Sequence, residues 1–224
     1  MKYVIFDIDG TLTDTTEVDD HCYLKAFKST FNLDISGYDW ESITHVTDWG
    51  ISEEIFLNEH KRLPTSSELE RLQDKFIQLL NEERVKDRSR FKEIEGAVDF
   101  LLKLKGRDDC RIGIATGGWE RSALLKLKAI GVSGNDIPFS NSNYFKTRES
   151  ILHHVIQQLI EKHRSEEYTV CYFGDGVWDY HTCLKMGVQF IGIDSNGDGK
   201  LSSLGAELVF RNFNESDNII SSLL

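Results

Sequence analysis

Nowhere does the sequence approach the roughly 20 consecutive apolar residues that a membrane-spanning helix needs, so no such helix is expected. Its first residues, MKYVIFDIDG, set acidic groups directly after a short apolar run. That order is wrong for a secretory signal, and a cytoplasmic location is expected. Cysteine is scarce, and Cys22, Cys110, Cys171 and Cys183 show no paired metal-ligand spacing, so all four are expected as reduced thiols. Positive charge is in deficit: 26 Lys and Arg stand against 37 Asp and Glu, a net charge of -11. A broad surface for a nucleic-acid backbone is therefore not expected, because that affinity comes mainly from Lys and Arg. Internal repeats and low-complexity segments are absent as well. What is present is the balance of a folded protein, 40% hydrophobic and 28% charged over 224 residues. That length suits one core with a smaller appendage. An anionic ligand on so acidic a chain has to be held locally, and a metal ion is the obvious means.

Four short runs rich in β-branched and aromatic residues read as buried parallel strands: Tyr3 to Phe6, Arg111 to Ala115, Thr169 to Phe173 and Phe190 to Ile193. Glu207 to Phe210 is a weaker fifth. Helical spacing recurs between them, at Ala97, Val98, Leu101 and Leu102, at Ala123, Leu127 and Ile130, and at Ile151, Leu152, Val155, Ile156 and Leu159. Alternating strands and helices predict an α/β fold with a doubly wound, mostly parallel sheet. Between Thr15 and Phe91 the pattern changes to amphipathic helices alone, as at Cys22, Ala26, Phe27 and Thr30, then at Leu69, Leu72, Phe76 and Leu79. The expected division is a core of residues 1–14 and 92–224 with an inserted helical lobe of residues 15–91. Its two connections could act as a hinge over the carboxyl edge of the sheet.

Chemistry concentrates at strand ends. In Phe6-Asp7-Ile8-Asp9-Gly10-Thr11 the two acids are two residues apart on extended backbone and face the same way. Such a pair becomes tolerable when a divalent cation binds one carboxylate and the other carries a proton for acid–base work. After the second strand, Ala115-Thr116-Gly117-Gly118-Trp119 offers a hydroxyl and backbone N–H groups at a helix start, a compact anion site. After the third, Gly174-Asp175-Gly176-Val177-Trp178-Asp179 places two more acids one helical turn apart, suited to a hard cation. Each motif alone also has an ordinary reading as a cap or turn.

Taken in order, these motifs resemble the haloacid dehalogenase superfamily over nearly the whole chain. The resemblance implies a magnesium-dependent phosphomonoester hydrolase acting on a small phosphorylated metabolite. It makes Asp7 the nucleophile that forms an aspartyl-phosphate and Asp9 the acid and then the base. It gives Asp7, the Asp9 backbone carbonyl, Asp175 and Asp179 to Mg2+, and Thr116 and the Gly117 N–H to the phosphoryl oxygens. The family's frequent Lys-Pro pair is missing, and Phe145-Lys146-Thr147-Arg148-Glu149 stands in its place. Lys146 is the expected phosphate-binding cation, with Arg148 as its rival.

The insert resembles the cap of the phosphoglycolate-phosphatase-like branch. There, Thr47, Asp48 and Trp49 are the candidates for selecting substrate, because polar groups, an aromatic and Gly50 interrupt the amphipathic pattern. Trp119 and Trp178 could wall the pocket or simply pack. Asp194 to Gly199 copies the opening of a calcium-binding loop, but Gly205 occupies the position where Glu is needed. His153 and His154 point in different directions on a helix and receive no role. Other functions open to the same residues are a sugar-phosphate mutase, a phosphonate hydrolase using Lys25, Lys28 or Lys61, and a non-catalytic binding protein. A monomer or a homodimer is expected, with no membrane and no nucleic acid among its partners.

Overall fold

The computed structural model describes residues 1–134, 137–164 and 167–223. The chain opens with β1 (Lys2–Phe6) and β2 (Thr13–Asp14), then runs through three helices, α1 (Thr16–Phe31), α2 (Asp48–His60) and α3 (Ser66–Lys86). It returns through β3 (Lys92–Glu93) to α4 (Ala97–Lys105), β4 (Cys110–Ala115), α5 (Glu120–Ala129) and β5 (Phe139–Ser140). Next come α6 (Arg148–His163), β6 (Thr169–Gly174), α7 (Val177–Met186) and β7 (Gln189–Ile193). The last elements are α8 (Lys200–Ser203), β8 (Val209–Phe210) and α9 (Ser216–Ser222). Among the described residues no helix is long and apolar enough to cross a membrane.

Six strands form one sheet in the order β5-β4-β1-β6-β7-β8, with every pair parallel. The fold is α/β with helices on both faces. Side chains alternate along β1, so Tyr3 and Ile5 meet Ile151, Val155 and Leu159 of α6, while Val4 and Phe6 face Phe100 of α4 and Phe213. Burial on both faces is why these strands read as continuous apolar runs rather than alternating ones. Phe6 stacks on Phe173 of β6 at 4.6 Å between ring centroids, with Phe100 edge-on to Phe6 at 6.2 Å. Each of these fully buried rings contributes roughly 1.5–3 kcal/mol through area removed from water, which anchors β1 at the centre of the sheet.

Helices α1, α2 and α3 assemble a second apolar cluster from Cys22, Ala26 and Phe27, from Ile55 and Phe56, and from Leu72, Phe76 and Leu80. A capping box of Thr65 and Glu68 starts α3. The chain enters and leaves this helical segment side by side, since β2 and β3 pair antiparallel through Thr13 with Glu93 and Asp14 with Lys92. Trp119, 2% exposed at the start of α5, packs into this second cluster against Tyr23 and Phe76, at 5.8 and 5.9 Å. Trp119 is thus a packing residue between the sheet layer and the helical segment.

Candidate active site

The carboxyl ends of β1, β4 and β6 converge on one place, as open α/β sheets arrange for ligands. Asp7 leaves β1 with its N–H donating to the Phe173 carbonyl at 2.9 Å and its carboxylate 3% exposed. The chain then turns sharply through Gly10, whose φ of 72° lies in the left-handed region. A side chain at Gly10 would also collide with the Asp175 carboxylate. Thr116 follows β4, and its hydroxyl accepts from the Gly118 N–H at 3.1 Å. The Gly117 N–H has no partner among the described residues. A Cβ at Gly117 would meet the Arg148 guanidinium at 2.6 Å, so glycine is what lets that cation lie against the Thr116 loop.

The cation beside Asp7 is Arg148, not Lys146. Lys146 is 39% exposed in its side chain and ion-paired with Glu53 of α2. Arg148 Nη1 lies 2.6 Å from Asp179 Oδ1 and 3.6 Å from Asp7 Oδ2. Its guanidinium also sits over the Trp178 ring, 5.5 Å from the centroid. The cause is local: Thr147 caps α6, accepting from the Ser150 N–H, so Arg148 is the first helical residue and turns inward, while Lys146 precedes the cap. Burial disfavours the Arg148 charge, but Asp179 and Asp7 outweigh it and raise its pKa, so the guanidinium stays charged.

Asp7, Asp175 and Asp179 bring a carboxylate oxygen each to within 4.8 Å of one another. Burial pushes the Asp7 carboxyl up to about 7; Arg148 pulls it down, and Asp179 and Asp9 push it up again. Burial, then Asp179 and Asp7, hold Asp175 well above the usual carboxylate range. Asp7 Oδ1 is buried without a hydrogen-bond partner. An orphaned oxygen among crowded carboxylates fits a hard divalent cation, which takes oxygen ligands and removes the repulsion. Asp179 differs from the other two. Its Oδ1 accepts from Arg148 and from the Tyr172 hydroxyl at 3.2 Å, and its Oδ2 from the Gly176 N–H at 3.1 Å. Both of its oxygens are already engaged, and what it does directly is aim Arg148.

Asp9 has a donor on each oxygen: Thr15 Oγ1 at 2.5 Å on Oδ1 and Lys126 Nζ at 2.7 Å on Oδ2. Lys126, on α5, is 1% exposed and also ion-paired with Asp19 of α1. Burial opposes its charge, yet Asp19 and Asp9 prevail and raise its pKa. The sequence reading missed this lysine, although its signal was there. Lys126 falls three residues after Ala123 and one before Leu127, on the apolar face of α5, where an unpaired ammonium could not stay.

A cavity of about 120 Å³ opens over Asp7, Asp9, Thr116, Gly117, Arg148 and Asp175. Its roof comes from the helical segment, through Asp19, Asp20 and Tyr23 of α1, Trp40, and the loop from Val46 into α2. Thr47 and Asp48 line it; Trp49 does not, because its indole N–H donates to Glu53 at 2.7 Å along the same helix. Trp178 lines the cavity as well. The loop is pinned to the sheet edge by four hydrogen bonds. Thr47 Oγ1 donates to the Lys146 carbonyl, the Asp48 N–H to the Gly117 carbonyl and Arg148 Nε to the Val46 carbonyl, each at 2.8 Å. The Trp119 N–H donates to Asp48 Oδ2, also at 2.8 Å. Asp194 accepts from the backbone of Gly197, Asp198 and Gly199, a loop that caps itself.

The fold, the strand-end acids and the Thr116 loop together define a haloacid dehalogenase-like hydrolase. The chain belongs to that family, whose sequence profile matches residues 1–187. Among solved structures it is similar to a hydrolase from Pseudomonas syringae, with a TM-score of 0.76 and 20% identity over 100% of both chains. It is also similar to β-phosphoglucomutase from Clostridium difficile, with a TM-score of 0.71 and 16% identity over 98% of this chain and 95% of the other. A third similar structure is CbbY from Rhodobacter sphaeroides in complex with phosphate, at 0.67 and 17% identity over 95% of both chains. No curated protein sequence matches the chain.

Proposed function

We propose that this hydrolase is a magnesium-dependent phosphomonoesterase for a small phosphorylated metabolite, with residues 15–91 as a cap over the site. The observation that carries the reading is Asp7, a buried carboxylate with an unpartnered oxygen, set between a charged guanidinium and Asp175 at the sheet's carboxyl edge. In the first step an Asp7 oxygen attacks phosphorus, the ester bond to the leaving oxygen breaks, and Asp9 gives that oxygen a proton. In the second, water attacks the aspartyl-phosphate, Asp9 takes the water's proton, and phosphate leaves with Asp7 restored. Arg148, the Gly117 N–H and the Thr116 hydroxyl hold the equatorial oxygens, and Thr15 and Lys126 fix the direction of Asp9. A magnesium ion held by Asp7 and Asp175, with Asp179 through water, would neutralise phosphoryl charge.

The phosphonate alternative loses support. Lys25, Lys28 and Lys61 are exposed and none lines the cavity, and Lys126 is held protonated, whereas imine formation needs a neutral amine.

Phosphate release from phosphoglycolate, sugar phosphates, nucleotides and p-nitrophenyl phosphate, with magnesium or with chelator, tests the proposal. Release should require the metal and fall by roughly 10⁴-fold or more in Asp7→Asn, as loss of a nucleophile does. A protein that binds magnesium yet releases phosphate from no ester would sink it.

A further inference from the structure

We infer that the group esterified to the phosphate is small and cationic, so that the substrate is a phosphomonoester bearing an ammonium on its leaving alcohol. This deepens the phosphatase reading above and rests on it. Arg148 is the only cationic side chain lining the cavity among the described residues, and Asp179 and Asp7 already match its charge. Beyond the phosphoryl end the wall is acidic and aromatic, formed by Asp19, Asp20, Asp48, Tyr23 and Trp40. Asp19 is neutralised by Lys126. Asp20 and Asp48 are not, for neither has an ion-pair partner among the described residues. Asp48 is the telling one. It is only 8% exposed, it faces the cavity, and its carboxylate accepts one hydrogen bond, from the Trp119 N–H.

Burying a carboxylate without a cation is costly, and a ligand that brings the missing charge recovers that cost. Asp48 shows the strain, since burial pushes its carboxyl up to about 7 against the pull of Lys126 and the Trp119 N–H. Asp20 is exposed at the cavity mouth and adds its negative charge there without that burial cost. Tyr23 and Trp40 stand edge to face at 6.4 Å beside these carboxylates, and aromatic rings near acids favour an ammonium further. A second phosphate or a carboxylate on the substrate would instead meet Asp20 and Asp48. That disfavours phosphoglycolate, and it disfavours the bisphosphate that a mutase has to hold. The cavity over Asp7 is about 120 Å³ and borders a second space of about 420 Å³ that shares Thr16, Asp20 and Asp175 with it. A leaving alcohol of a few heavy atoms fits within the first alone.

Three esters with a two-carbon leaving group decide the matter: O-phosphoethanolamine, 2-hydroxyethyl phosphate and phosphoglycolate. With magnesium, kcat/KM should favour the ammonium ester over the hydroxyl ester by about 10- to 100-fold, the range of a charged hydrogen bond, with phosphoglycolate last. Asp20→Asn and Asp48→Asn should each move the ammonium-to-hydroxyl ratio toward one, a comparison made within each variant and so independent of its stability. Equal rates, a preference for phosphoglycolate, or an unchanged ratio in both variants would overturn the inference. Calorimetric binding of the same esters to Asp7→Asn with magnesium separates the two readings. If none is hydrolysed yet the ammonium ester binds tightest, charge selection stands and the phosphatase reading falls. Equal affinities, or no binding by any of the three, overturn charge selection itself.

Discussion

Arg148 and Lys146 sit two residues apart with the same charge, and only the helical phase set by the Thr147 cap sends one into the site and the other to Glu53. Arg148→Lys keeps the charge but not the fork that meets Asp179 and the Val46 carbonyl together. It should lower kcat/KM by roughly 10²-fold, the effect of losing one aimed donor, whereas Lys146→Ala should change it by no more than about threefold, as surface substitutions do. Steady-state kinetics on one ester checks both. Gly10→Ala forces a Cβ onto a positive φ and into Asp175, and the variant should lose most of the magnesium-induced rise in Tm. At this scale the sequence showed the acids and the Thr116 loop, because strand-end carboxylates two residues apart and glycines at a helix start leave a local mark. Choosing between the two cations needed the inward face of α6, which no local pattern states.

At the scale of elements, α5 joins the two layers through Lys126, which binds Asp9 after β1 and Asp19 on α1. Lys126→Met keeps the stem's packing but leaves two carboxylates without their cation. Breaking a buried pair in this way costs about 3–5 kcal/mol. For a chain of this length that corresponds to a Tm lower by about 10 °C, measurable by thermal melting. The central strands were legible because burial on both faces makes them continuous apolar runs. β5 was not, since Phe139 and Ser140 are two residues at the sheet edge. The run from Glu207 shrinks to Val209–Phe210 for the same reason. Lys126 was legible in principle, as a lysine on the apolar stripe of a helix.

Across the whole molecule the site carboxyls set how stability varies with pH. Asp7 and Asp48 at about 7 and Asp20 at about 6 keep protons in the folded state that the unfolded chain releases near pH 4. The folded state binds more protons, so stability falls as pH rises from 5 to 8. Glu68 and Asp109, lowered to about 2 by Arg62 and Arg107, change stability only below that window. His163, lowered by burial and Arg111, works in the opposite direction but stands alone. Tm in chelator should therefore decline from pH 5 to pH 8. The rise in Tm on adding magnesium should grow over the same range, because the metal competes with protons for the Asp7 oxygens. A Tm that climbs with pH in chelator would contradict this assignment. The Val46 loop carries a further consequence, for Arg148 bonds that loop with Nε while Nη1 faces Asp7. One guanidinium therefore touches both the roof and Asp7, and under the proposed function this would link closure to phosphate affinity. By reciprocity, if closing the roof strengthens phosphate binding by a given factor, bound phosphate shifts the roof toward closed by that same factor.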